Sequence, residues 1–182
     1  MQTVYLTCGL PGCGKSTWAR EKAKEDLNVA IVCRDDLRTM FKGVYYYDTV
    51  LEPAIVDMAM SVLDILLDRG YDVIVDETNL TKKRRAEILS RIRQWCERKY
   101  GQETSVLPVG QLSFRRMPEP AIKVICVEFP EDERHLERRM KENRGYTPEK
   151  WTEVVEGMKK TREPVTLDEG FTNIITVRST DD

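Results

Sequence analysis

Two rhythms of apolar and polar positions alternate along the chain. Short runs rich in β-branched residues, Val4 to Thr7, Val29 to Cys33, Val73 to Val75, Ala121 to Phe129 and Asn173 to Val177, have the length of buried strands. Between them lie stretches of helical period: Lys15 to about Lys24, Asp36 to Phe41, residues 50 to 69, Leu80 to Lys99, Glu131 to Asn143 and Pro148 to Lys160. In the third of these, Ile55, Met58, Val62, Ile65 and Leu66 fall at the spacing of an apolar helical stripe, and Gly70 is a natural stop. Strands alternating with helices predict an α/β domain on a mainly parallel five-stranded sheet, with helices on both faces. Residues 101 to 119 break the rhythm with Gly101, Pro108, Gly110 and Pro118, and read as a long loop or small hairpin inserted before the fourth strand.

Composition narrows the class. At 182 residues, with 41% hydrophobic and 33% charged, the chain suits one globular domain able to bury about 70% of its surface. Basic and acidic side chains nearly cancel, 29 against 31, so any nucleic-acid contact must come from a local patch. No run approaches a membrane span, and Met1 to Gly14 lacks a basic leader segment. Five cysteines without a CxxC pair and a single histidine, His135, argue against zinc and disulfides and fit the cytoplasm. Cys8 and Cys13 read as small loop or core residues.

Residues 9 to 16, Gly-Leu-Pro-Gly-Cys-Gly-Lys-Ser, form GxxxxGK[ST] between a strand and a helix. The loop of Gly9, Pro11, Gly12, Cys13 and Gly14, running on to Thr17, can wrap phosphates with the backbone N–H groups of its non-proline residues, the helix N-terminus adds a positive dipole end, Lys15 reaches the outer phosphates and Ser16 offers a hydroxyl to Mg²⁺. Asp76, at the end of the third strand, is either a second Mg²⁺ ligand or a cap for the next helix. After the second strand comes Arg34-Asp35-Asp36-Leu37-Arg38. There a carboxylate can take a proton from an attacking hydroxyl, and Arg38, three residues beyond Asp35, can grip an acceptor phosphate. The alternative is an Asp N-cap beside a surface salt bridge, with Asp36 better placed to start the helix.

The run GLPGCGKSTWARE, then RDDLR at 34 to 38 and Thr78-Asn79-Leu80, resembles the P-loop polynucleotide kinase family, in particular the 5′-hydroxyl kinase domain of the bacteriophage enzymes. The resemblance implies a single P-loop kinase domain over 1–182 with a helical lid near 131–163, ATP and Mg²⁺ as cofactors, and 5′-OH ends of DNA or RNA as acceptor. It makes Lys15 and Ser16 donor-site residues, Asp35 the general base, Arg38 the acceptor-phosphate ligand, and Arg144 with Arg139 (or Arg138) the lid arginines. The DxDGT-type motif of the phage phosphatase domain is absent, so 3′-phosphatase activity is not expected.

Three patches stay open between chemistry and packing. Phe41 and Tyr45-Tyr46-Tyr47 can stack on a terminal base or pack. The basic helix carrying Lys82, Lys83, Arg84, Arg85, Arg91, Arg93, Arg98 and Lys99 can track a phosphate backbone or form a solvated face, and Arg115-Arg116 likewise. The competing functions are a kinase of another hydroxyl, such as a small metabolite, a tRNA-linked group or a hydroxymethylated base, and a nucleotide switch. The switch lacks any [NT]KxD motif and leaves Arg38 without a purpose.

Overall fold

The computed structural model describes residues 1–101, 122–131, 137 and 147–177. Its elements are β1 (Gln2–Cys8), α1 (Lys15–Glu25), β2 (Val29–Val32), α2 (Arg34–Lys42), α3 (Glu52–Asp68), β3 (Asp72–Val75), α4 (Lys82–Tyr100), β4 (Ile122–Glu128), α5 (Pro148–Thr161), a 3-10 turn (Leu167–Glu169) and β5 (Asn173–Thr176). The five strands are parallel in the order β2-β3-β1-β4-β5. The expected parallel α/β sheet is therefore present. The 102–119 part of the insertion, the 132–143 helix apart from Glu137, His135 and Arg115-Arg116 lie outside the described residues.

Strand pleating sorts the side chains between two layers. Val4, Leu6 and Cys8 of β1 point with Val73 and Val75 of β3 toward α3 and α4, where they meet Ala59, Leu63, Leu67, Ile88, Ile92 and Trp95. The intervening Tyr5 and Ile74 face α1 and pack on Trp18 and Ala19. On that side Tyr5, Trp18 and Phe129 form a chain of edge-to-face rings at 5.9 and 6.1 Å. Because both faces are covered, the strands read as continuous apolar runs, which is why they were legible.

The helices depart from expectation in detail. The buried stripe of α3 is Ile55, Ala59, Leu63 and Leu67, and Ile65 is exposed. Large apolar residues mark the helix correctly, but its buried stripe is rotated from the expected one and includes the small Ala59. The α2 helix starts at Arg34, not Asp36. Cys33 sits at its N-cap without a side-chain bond, so neither aspartate caps the helix; both lie in its first turn, where the dipole favours them. The α4 helix starts after Thr81, whose hydroxyl accepts from the Arg84 N–H at 3.2 Å.

Candidate active site at the carboxyl edge of the sheet

The sheet order reverses at β1, so the loop after β1 lies beside the carboxyl end of β3 and near that of β2, where open α/β sheets bind ligands. The glycine loop is held there by the Gly9 N–H donating to Thr78 O at 3.0 Å. Only glycine fits at position 9: a Cβ would come within 2.7 Å of Cys13 Sγ and 3.0 Å of the Phe129 carbonyl oxygen. Gly12 and Gly14 take the left-handed φ values of 82° and 89°. Gly14 caps α1 with no side-chain bond, leaving the first-turn N–H groups at Lys15, Ser16 and Thr17 for an anion. Pro11 stands half-buried in the loop, and Leu10, Cys13 and the side chain of Lys15 are buried. Lys15 Nζ donates to the Leu10 carbonyl at 2.6 Å and lies 3.6 Å from Cys13 Sγ, so the ammonium is parked on the loop it would leave to meet phosphate. Burial pushes the Cys13 thiol up, which suits the inert core role expected of it.

Asp76 follows β3 and is buried. Burial raises its carboxyl above the ordinary range, opposed by a hydrogen bond from Ser16 and the charge of Lys15 and reinforced by the charge of Asp35. Ser16, Asp76 and Asp35 thus share one electrostatic neighbourhood. The capping alternative for Asp76 falls away because Thr81 fills that position. Thr7 Oγ1 braces the turn, donating to Glu77 O at 2.8 Å and accepting from Glu77 N at 3.1 Å.

The acceptor motif supplies a buried ion network rather than a surface bridge. Arg38 is buried, bonds to Asp35, and donates from Nε and Nη2 to the two oxygens of Glu52 at 2.7 and 2.8 Å. Burial alone would lower the Arg38 pKa, but Glu52 and Asp35 raise it; reciprocally, the Arg38 hydrogen bond holds Glu52 below the usual carboxylate range. Arg34 lies 2.7 Å from Glu77 through Nε, with the N–H directed off the hydrogen-bond line, and 3.6 Å from Glu52. Arg84 also reaches Glu77, at 3.1 Å. Glu77 follows Asp76 at the carboxyl edge of the sheet, where its sequence position puts it; Glu52 was not anticipated, since it sits in no motif and only the packing of α3 beside α2 brings it in.

The basic helix differs most from expectation. Arg85 is fully buried on Glu169; Arg84 is paired with Glu77 and Glu87; Arg91 and Arg98 share Asp64 at 2.8 and 2.9 Å. Carboxylates thus engage four of the five arginines of the helix, which weakens the field it offers to a phosphate backbone, while Lys82, Lys83 and Arg93 form no ion pair among the described residues. The tyrosines neither pack inward nor stand apart: Arg38 Cζ lies 5.9 Å from the Tyr45 ring and 5.7 Å from the Tyr47 ring, and Lys42 Nζ is 3.5 Å from the Tyr46 ring. Arg138, Arg139 and Arg144 lie outside the described residues.

A parallel sheet with a glycine phosphate loop at its switch point, a serine beside a buried aspartate, and an Asp–Arg motif on the next strand end define a P-loop kinase fold. A family model described as "AAA domain" matches residues 4–165, and the chain belongs to that family. Similar solved structures include a fungal RNA kinase, 17% identical, covering all of this chain and 76% of that one with a TM-score of 0.60. A Chloroflexus aurantiacus protein is 15% identical over 98% of this chain and 89% of that one, TM-score 0.62. Chaetomium thermophilum Kti12 in complex with ADP-AlF3 is 16% identical over 98% and 90%, TM-score 0.57. These likenesses establish the fold. Among the described residues no helix is long and apolar enough to cross a membrane.

Proposed function

We propose that the protein is an ATP-dependent polynucleotide 5′-hydroxyl kinase. The observation that carries this reading is the pairing of Asp35 with a buried, carboxylate-clamped Arg38 within electrostatic reach of the Ser16–Asp76 pair. In this reading the loop from Gly9 to Thr17 holds the ATP phosphates, and Lys15 leaves Leu10 O to neutralise the group in transfer. Ser16 and Asp76 fit Mg²⁺: a hydroxyl beside a carboxylate that burial leaves short of solvation is a donor set for a hard cation. Mg²⁺ held by Ser16 and Asp76 would neutralise charge on the transferring phosphate. Asp35 accepts the proton of the attacking hydroxyl. Arg38 binds the phosphate on the 3′ side of that nucleoside. Arg139 and Arg144 close over the transferring group, as the family resemblance implies. The RNA kinase among the similar folds supports a nucleic-acid acceptor.

The carboxylate pairing of most α4 arginines favours a second reading, a kinase of a smaller hydroxyl compound. Transfer from labelled ATP to 5′-OH DNA, 5′-OH RNA, nucleoside 3′-phosphates and simple polyols separates the two. Labelled oligonucleotides are expected; label confined to the polyols, or to none, overturns the polynucleotide assignment.

A further inference from the structure

Beside the acceptor motif lies an open cleft of about 600 Å³ whose walls include Arg34, Tyr47, Thr49, Glu52, Val56 and Asp57. Its volume is in the range of small-molecule sites. Its back wall belongs to the acceptor network. Glu52 holds Arg38 by both oxygens, and Arg38 in turn holds Asp35, so the cleft stands one guanidinium away from the proposed base. Its charge disfavours an anion. Glu52 and Asp57 contribute carboxylates, while the Arg34 guanidinium is already engaged by Glu77 and Glu52. A phosphate would meet two carboxylates against the single guanidinium of Arg34, which already faces Glu77 and Glu52. Its remaining surface is the half-exposed ring of Tyr47, the Val56 side chain and the Thr49 hydroxyl. Such a site suits a neutral, planar group with polar edges: the ring gives a stacking face, and Thr49 and Asp57 accept from N–H groups at the rim. The ring of Tyr47 lies 5.7 Å from Arg38 Cζ, which fixes the cleft in register with the phosphate grip.

We propose that this cleft is a nucleobase subsite, receiving the base of the 5′-terminal nucleotide of the acceptor by stacking on Tyr47 while Arg38 holds the adjacent phosphate. The proposal rests on the polynucleotide kinase reading above and names where that substrate's first base sits. It also accounts for exposed aromatic surface next to a charged site: every base has a π-face, so stacking secures a strand end without restricting sequence.

The experiment compares kcat/KM for a 5′-OH oligonucleotide with that for the same strand carrying an abasic 5′-terminal nucleotide, in the unaltered protein and in three variants. The unaltered protein should favour the base-bearing end by roughly 5- to 150-fold, the range that stacking on an aromatic side chain gives. Tyr47→Ala should collapse that ratio toward one, and Tyr47→Phe should keep it, since the ring and not the hydroxyl is used. Thr49→Trp, at an exposed position on the rim, should also collapse it by filling the cleft. Near-equal use of the two strands by the unaltered protein, or a ratio that survives both Tyr47→Ala and Thr49→Trp, overturns the subsite and leaves the kinase reading standing. Transfer to neither strand overturns both. A loss in Tyr47→Ala that falls equally on both strands reports damage to Arg38, and it also overturns the proposal.

Discussion

Arg85 and Arg38 are both buried, and each is clasped by both oxygens of a glutamate, Glu169 for one and Glu52 for the other. Around that shared core they differ. Arg85 spends its other donors on the carbonyls of Asn79, Leu80, Glu163 and Pro164, at 3.0 to 3.3 Å. Those acceptors are backbone, fixed in place, and they tie the turn after β3 to the segment that follows α5. Arg38 bonds instead to a second carboxylate, Asp35, whose side chain is 39% exposed, and faces two tyrosine rings. Among the described residues three of its five N–H groups are engaged. A fastening and a binding group are told apart by what saturates them. An arginine saturated by main-chain oxygens has nothing left to offer a ligand. One held by side-chain carboxylates at an open edge is oriented, with donors left over and a partner that can move.

The contrast can be tested in order of expected effect. Asp35→Asn removes the proposed base and should lower kcat by roughly 10²- to 10⁴-fold. Its melting temperature should barely move, because a first-turn carboxylate contributes only about 0.3–1 kcal/mol and Glu52 still holds Arg38. Asp36→Asn, assayed beside it, should be the milder change; if it is the inactive variant, the base is the other carboxylate.

Arg85→Met should be nearly as large an effect, but on stability. It strands Glu169 and four carbonyls in a dry site, at a cost of about 3–5 kcal/mol, or roughly 6–20 °C in melting temperature for a chain of this size. Activity measured well below the new transition should persist. A variant that melts normally yet has lost activity would erase the distinction drawn between the two arginines.

Arg38→Ala should reverse that pattern. Losing a charge-assisted contact costs about 1.5–3 kcal/mol, so kcat/KM should fall roughly 10- to 100-fold for acceptors with a 3′-phosphate and much less for those without. Equal losses on both acceptors would take Arg38 out of the acceptor site.

The smallest effect concerns pH. Because the Arg38 hydrogen bond depresses the Glu52 pKa below its ordinary 4.5, the stabilisation from this pair is complete above pH 4.5. It disappears as pH falls through the depressed value. The melting temperature of Glu52→Gln should lie below that of the unaltered protein at neutral pH, by the equivalent of about 1 kcal/mol, and the gap should close in acid. A gap that is constant with pH would mean that Glu52 acts by packing alone.

Much of the site's inventory was legible in the chain itself, because those parts are local. The glycine loop must be glycine where φ is positive and where position 9 meets Phe129, and its lysine and serine follow at fixed spacing. Strands covered on both faces carry unbroken apolar centres, Val4–Leu6, Val73–Val75 and Val124–Val127, so β1, β3 and β4 stood out without any knowledge of their neighbours. Asp35 and Arg38, one helical turn apart, meet by the geometry of that turn alone.

What the sequence left undecided is what depends on distance in the chain. Arg84 and Arg85 are adjacent basic residues, yet one turns to Glu77 at the sheet edge and the other into the interior toward Glu169, 84 positions away. Arg85 lies on the buried stripe of α4 with Ile88, Leu89, Ile92 and Trp95, but which carboxylate meets it there is set by the segment after α5. Glu52 opens α3 as an ordinary first-turn acid and becomes the clamp on Arg38 only because α3 packs beside α2. Composition and spacing set which charges exist and which lie on one helix face. Which charge is buried, and against which partner, is decided by tertiary packing, because an ion pair forms wherever desolvation leaves a charge no better choice.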